Sequence, residues 1–369
     1  MSIFDAHWLV IIRIMTNPGT LSEMLDPLTK PARFVEQLEE GRVRCYACAH
    51  RCTLKPGQRG ICQMRFNQEG ELRVPWGYVA AANVDPIEKK PFMHFLPGAR
   101  AMTFGMLGCN FHCDFCQNWI SSQALRDPAS NGAGSYVERI SPAELVNLAL
   151  RSGARVIASS YNEPLITSEW AVDIFKVARE AHLYCAYVSN GFATPEILHA
   201  LQPYLHGFKI DLKCMSDSHY RELGGSLQVV LDSIALAHEL GMWVEVVTLV
   251  IPDFNDSNEE LWDTARALAL ISPDIPWHVT AFYPTYKRTH NPPTSAEILQ
   301  RAADIGQEAG LRYVYAGNLP GRVGSLENTY CPACNALLIE RHGYRVSKNS
   351  ITSSAACPNC GTIIAGIWG

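Results

Sequence analysis

The chain has little charge and no excess of basic residues. Of its 369 residues 18% are charged, and 31 Lys and Arg stand against 36 Asp and Glu, a net charge of −5. A general nucleic-acid binder needs a basic surface to meet the phosphate backbone. That class is therefore opposed, although a local basic groove is compatible with the count. Long hydrophobic runs are also missing. The apolar stretch His7–Met15 falls well short of the about 20 residues that span a bilayer. It has neither a basic leader nor a small-residue cleavage site. No membrane association is expected, and residues 1–32 read as a poorly ordered or non-native extension, with Met15 or Met24 as candidate starts. There is no long repeat and no low-complexity tract. What remains, with 47% hydrophobic residues, is a globular chain with a sizeable core and length for about two or three domains.

Cysteine is abundant. Eleven of the 13 fall into three tight groups. A secreted disulfide scaffold is short and evenly stapled, whereas grouped cysteines in a long chain point to metals and a reducing, cytoplasmic setting. Cys185 and Cys214 stand apart in apolar runs and read as buried core thiols.

The most informative group is Cys109, Cys113 and Cys116, within Gly108-Cys-Asn-Phe-His-Cys-Asp-Phe-Cys-Gln-Asn118. C-x-x-x-C-x-x-C offers three thiolates, one fewer than a saturated 4Fe–4S cluster takes. One iron is left with open positions at which a substrate or cofactor can bind. Phe115 adds an aromatic where such a loop shields its cluster. A zinc site takes four ligands from paired C-x-x-C knuckles, which this uneven triple does not provide. From this loop onward the chain resembles the radical S-adenosylmethionine (SAM) superfamily.

Around the loop, strand and helix patterns alternate. Apolar β-rich runs occur at Ala101–Leu107, Val156–Ser160, Tyr184–Ser189, Phe208–Leu212, Trp243–Ile251, Trp277–Phe282 and Arg312–Tyr315. Ser141-Pro142-Ala-Glu144 opens one helix as a capping box. Thr194-Pro195 and Ser257 open two more, and the stretch Thr294–Ala309 stops at Gly310. The order predicts an α/β fold with a parallel sheet and right-handed crossovers: a partial (β/α)6-type TIM barrel over residues 101–322, with functional residues at the C-terminal strand ends. Residues 126–135 and 284–293 read as long loops, lids or docking surfaces.

Two cysteine modules flank this core. Over residues 33–100, Cys45, Cys48, Cys52 and Cys62 form a closed four-thiol set for zinc, favoured on ligand type, or for an auxiliary iron–sulfur cluster. Over residues 323–369, Cys331-Pro-Ala-Cys334 and Cys357-Pro-Asn-Cys360 read as a zinc-ribbon-like module. About 40 residues bury too little surface to fold without a metal clip, so zinc here is structural. A rubredoxin-like iron site is the alternative.

At the strand ends the resemblance suggests cofactor ligands. Glu163, in Ser160-Tyr-Asn-Glu163-Pro164, matches the superfamily's Gly-Gly-Glu-like element that binds the amino group of SAM, although Tyr161 and Asn162 depart from its glycines. Ser189 and Asn190, before Gly191, match positions that bond the ribose. Asp211 and Lys213 either face SAM or substrate, or pair structurally. No catalytic residue is assigned.

With Ile251-Pro-Asp-Phe-Asn-Asp256 and Phe282-Tyr-Pro-Thr-Tyr286 added, the chain is similar to the pyruvate formate-lyase activating enzyme group. Cys45-x-x-Cys-Ala-His-Arg-Cys52, Val84-Asp-Pro-Ile-Glu-Lys-Lys-Pro91, Phe95-Leu-Pro-Gly98 and the closing cysteine pairs narrow the resemblance to the radical SAM enzyme of the AmmeMemoRadiSam system, from about residue 33 onward. The resemblance implies a 4Fe–4S cluster that cleaves SAM reductively to a 5′-deoxyadenosyl radical, which abstracts hydrogen from an unidentified substrate. It implies as partners a reductant such as flavodoxin or ferredoxin, Memo-type and AMMECR-type proteins, and a possible protein substrate. The alternatives are an activase that installs a glycyl radical on a partner enzyme, and a non-enzymatic, metal-stapled RNA-binding module.

Overall fold

The structure is a computed structural model that describes residues 20–369. Its centre is one eight-stranded sheet. Seven strands run parallel in chain order: β1 (Arg100–Gly105), β2 (Val156–Ser159), β3 (Tyr184–Ser189), β4 (Gly207–Asp211), β5 (Trp243–Val250), β6 (Trp277–Ala281) and β7 (Val314–Gly317). Each parallel step is bridged by at least one helix, which makes six β/α units and a closing strand. The strands are buried nearly throughout, as a sheet covered on both faces requires. The eighth strand, Ala81–Pro86, runs antiparallel along the free side of β1. The sheet stays open as a partial barrel, because this edge strand and β7 stand at opposite ends of the order.

Local chemistry sets the crossovers. Helix α1 (Pro142–Arg151) begins with the expected reciprocal cap: Glu144 N–H donates to Ser141 Oγ at 3.2 Å, and Ser141 N–H donates to Glu144 Oε2 at 2.8 Å. Helix α2 (Ser168–Glu180) buries its Trp170, Ile174, Phe175 and Ala178 stripe, the i, i+4 face that packs on a sheet. Among the described residues no helix is long and apolar enough to cross a membrane.

Two boundaries differ from the sequence expectation. Residues 20–32 belong to the fold. A helix, Leu21–Leu25, is closed by a Thr20–Glu23 capping box, and Thr29–Pro31 pairs with Glu71–Pro75. Lys30 and Arg33 both bond Asp173 on α2. These contacts are made to residues distant in sequence, so the local pattern did not reveal them. The part of that expectation covering residues 1–19 lies outside the described residues. The strand Ala81–Pro86, placed by sequence in the N-terminal module, belongs instead to the central sheet. The stretch expected as a loop at 126–135 winds into 3-10 turns over Pro128–Tyr136, capped by Asp127.

Candidate functional site at the C-terminal strand ends

The loop after β1 is pinned from several sides. Gly108 takes φ +90°, and a Cβ there would sit 2.2 Å from Met64 Cγ, so only glycine fits. Gly108 N–H donates to Ser121 O, and Gly108 O accepts from Glu163 N–H. Asn162 Oδ1 accepts from Met106 N–H at 3.0 Å. Cys109 Sγ accepts from Phe111 N–H at 3.3 Å, and Cys116 Sγ lies 3.2 Å from Ser122 Oγ. Asn110 is fully buried, and its Nδ2 has no partner.

Three strands deliver the rest. Glu163, just past β2, is 2% exposed. Its carboxylate accepts from Ser189 Oγ at 2.6 Å, Asn190 N–H at 2.8 Å and Leu165 N–H at 3.0 Å. No basic side chain pairs with it among the described residues. Burial raises its pKa to about 7 against the pull of those three donors. Asn190 joins this carboxylate to the cysteine loop: its Nδ2 donates to Asn110 Oδ1 at 2.7 Å and lies 3.9 Å from Cys109 Sγ. Ser189 Oγ also accepts from Gly191 N–H, and Asn190 Oδ1 from Phe192 N–H. Both side chains are therefore committed within the protein.

At the end of β4, Lys209, Asp211 and Lys213 form one charged chain. Lys213 Nζ bonds Asp211 Oδ2 at 2.6 Å, and Lys209 Nζ takes Oδ1. Burial alone would raise Asp211, but the two lysines outweigh it and hold its pKa at about 2. Burial pushes Cys113 up to about 12 and raises Cys109 and Cys116 as well, while the Lys213 charge lowers both Cys113 and Cys116. Lys209 was not singled out in the sequence, yet residues 209 and 211 share one face of β4 by alternation, and Lys213 follows just past its end.

The hairpin after β6 clasps the cysteine loop. Arg288 Nε contacts both Asp114 carboxylate oxygens at 3.1 Å, and its guanidinium lies over Phe254 and Phe115. Tyr286 stacks on Trp119 at 5.2 Å and donates to Asp127. Phe115 thus packs against Phe254 and under Arg288 beside the cysteine loop.

The site joins a cysteine triple, a buried carboxylate without a cation and a lysine–aspartate chain at the strand ends of an open barrel. The chain is 38% identical over 335 residues to an uncharacterized protein of Methanocaldococcus jannaschii, a match covering 90% of this chain and 98% of that protein. The sequence profile of the radical SAM superfamily matches residues 104–268. The chain belongs to the radical SAM superfamily.

This radical SAM chain is also 25% identical over 170 residues to the isethionate sulfite-lyase activating enzyme of Oleidesulfovibrio alaskensis. That match covers 44% of the chain and about half, 54%, of the activating enzyme. The crystal structure of a radical SAM methyltransferase from Sphaerobacter thermophilus is similar at 15% identity, with 81% of each chain covered and a TM-score of 0.48. Membership implies an enzyme with a 4Fe–4S cluster and SAM. The site fits such a group: Cys109 and Cys116 receive polar contacts at sulfur, and a buried amide donor beside them has no partner.

The other cysteine groups lie elsewhere. Cys331, Cys334, Cys357 and Cys360 close to within 4.8 Å of one another, with Sγ pairs at 3.5 and 3.7 Å. Zinc at about 2.3 Å from each sulfur holds four sulfurs under about 4 Å apart, so this set can take zinc or iron. Asn335 and Gly361 have positive φ after their C-P-x-C turns, the conformation that Gly and Asn tolerate best. Cys45, Cys48, Cys52 and Cys62 lie in the N-terminal module, which meets the Cys109 loop where His50 Nε2 lies 3.0 Å from Asn110 O, and they do not close to that distance. Cys185 and Cys214 are buried.

Proposed function

We propose that this chain is the radical SAM enzyme of an AmmeMemoRadiSam system, acting by hydrogen abstraction on a partner protein or a small molecule. Cys109, Cys113 and Cys116 would hold the cluster, with one of its irons left without a protein thiolate. Bound there, the cluster and SAM supply one low-potential electron and a carbon-centred radical able to take a hydrogen atom.

One observation supports the SAM site most directly. Glu163 is a buried carboxylate fixed by three donors, linked through Asn190 to Cys109, and lacking a cation. An ammonium group is the natural occupant of such a position, since a charge-assisted bond there is worth more than in water. In this reading Ser189 and Asn190 position Glu163 and the cysteine loop rather than bond a ribose, because their polar atoms are already used. Lys213 lies at the mouth beside Cys113 and Cys116 and opposes their negative charge, while Asp211 holds both lysines.

The partial match to isethionate sulfite-lyase activating enzymes favours one narrower reading: an activase that installs a glycyl radical on a partner enzyme, with a ferredoxin- or flavodoxin-type donor. Memo-type and AMMECR-type proteins are the first partners to assay. The deciding experiment is anaerobic reconstitution with iron and sulfide, followed by SAM and dithionite. Release of 5′-deoxyadenosine supports the radical SAM reading, and its absence from a fully loaded sample defeats it. A glycine-centred radical signal on a co-incubated partner would establish the activase reading.

A further inference from the structure

We propose that Cys45, Cys48, Cys52 and Cys62 hold a second iron–sulfur cluster, not zinc, against the outer wall of the Cys109–Cys116 loop. The assignment goes beyond the SAM chemistry and does not depend on it.

The spacing of the thiols is the first argument. The structure contains a thiol cage of zinc dimensions at the C-terminus, and among the described residues neither Cys45, Cys48, Cys52 and Cys62 nor Cys109, Cys113 and Cys116 closes to that distance. In a cluster each thiolate is carried by a different iron, so its sulfurs stand farther apart than the four around one zinc ion. The sequence pattern agrees: C-x2-C-x3-C-x9-C lacks the two matched C-P-x-C turns of the C-terminal site.

Arg65 is the second, independent argument. It is 2% exposed, and its backbone carbonyl and Cys52 Sγ both flank Gly60, 3.5 and 3.6 Å from where a Cβ there would sit. Its two terminal nitrogens are used, by Glu169 at 2.7 and 2.8 Å and by Ile166 O at 3.1 Å. Its Nε has no partner. A buried N–H left unsatisfied is costly, and a sulfur-rich anionic cluster would accept from it. Hydrogen bonds to sulfur and nearby charge are the means by which a protein tunes such a cluster.

The location gives the site a purpose. Ala49 N–H donates to Phe192 O at 3.1 Å, His50 Nε2 lies 3.0 Å from Asn110 O, and Arg126 Nη2 bonds both Ile61 O and Cys109 O. The two thiol sets therefore share one wall. A cluster there can take one electron from an external low-potential donor of the ferredoxin or flavodoxin class and pass that same electron inward. No bond is made or broken in the transfer.

The test uses the full chain with Cys109→Ala, Cys113→Ala and Cys116→Ala combined, reconstituted anaerobically with iron, sulfide and zinc. The expected result is about two to four irons with matching acid-labile sulfide per chain, an electron paramagnetic resonance signal on reduction, and a single zinc. Adding Cys45→Ser and Cys62→Ser should remove that iron and leave the zinc. A triple variant holding two zinc ions and no labile sulfide would overturn the proposal. If the multiple variants do not fold, the wild-type chain decides. Iron in excess of one cluster, with two reduced-cluster signals, supports the second site, and a single cluster with two zinc ions refutes it. Because the triple variant cannot load the SAM site, loss of SAM cleavage with retained iron separates this outcome from any failure of the proposed function.

Discussion

Glu163 is held by donors only, and its buried position beside Cys109 makes it the residue on which SAM affinity should turn. Glu163→Gln should lower SAM affinity at least tenfold, equivalent to about 1.4 kcal/mol, while leaving the iron content of the Cys109 loop unchanged. Equilibrium binding together with an iron assay checks both halves. Asp211 is the converse case, a carboxylate with two cations. Asp211→Asn would leave Lys209, whose side chain is 5% exposed, buried and uncompensated. Breaking a buried pair from one side costs about 3–5 kcal/mol, so urea unfolding should show a loss of that order. Replacing Lys209 by Met in the same chain should recover part of it. Asp211 and Lys213 were visible in the sequence as charges in an apolar run. That Lys209 completes the chain follows from strand alternation once the face turned to the cavity is known.

At the level of elements, the C-terminal tail is tied to the barrel through one histidine. His94 Nδ1 lies 2.7 Å from Ala365 O and its Nε2 lies 2.6 Å from Tyr315 Oη, so the neutral ring donates to the carbonyl and accepts from the phenol. The backbone adds Ile367 N–H to His94 O and Leu96 N–H to Ile367 O, each at 2.7 Å. Burial lowers the His94 pKa to about 4, against about 6.5 in an unfolded chain. A group depressed on folding stabilises above its unfolded value and loses that contribution as pH falls through the folded one. The stabilisation is therefore full above pH 6.5 and gone below about 4, a difference of about 3 kcal/mol. The gap in urea midpoint between wild type and His94→Asn should narrow steadily over that range. The ribbon beyond this tie depends on its thiols. Cys357→Ser should raise amide hydrogen exchange across residues 329–369 and leave β1–β6 protected. The C-P-x-C pairs announced that ribbon from the sequence, whereas the docking role of His94 did not show, because its partners lie 221 and 271 residues away.

The whole molecule is assembled by buried polar links between segments far apart in the chain. Arg65 and Glu169 are 104 residues apart, 2% and 0% exposed, and joined in a two-pronged pair. Glu245 on β5 accepts from the backbone N–H groups of Met93 and His94 and lies 2.7 Å from His278. These links fasten the N-terminal residues across the back of the barrel and behind the cysteine loop. Arg65→Met should cost about 3–5 kcal/mol by stranding Glu169. Arg44→Ala, which breaks an exposed pair with Glu36, should cost under about 1 kcal/mol. Denaturant unfolding of the two variants side by side tests the contrast.

The amino-acid sequence by itself determined what depends on neighbours in the chain: the C-x-x-x-C-x-x-C loop, the two C-P-x-C turns, the caps that start the helices and the apolar runs that became seven parallel strands. Ligand spacing, capping and strand alternation are properties of a few consecutive residues. Only the tertiary structure decided that Thr29–Pro31 and Ala81–Pro86 complete two different sheets. It alone turned Ser189 and Asn190 toward Glu163 and joined Arg65 to Glu169. In each case burial requires a polar or edge group to find its partner wherever the folded chain supplies one, and that partner is distant in sequence.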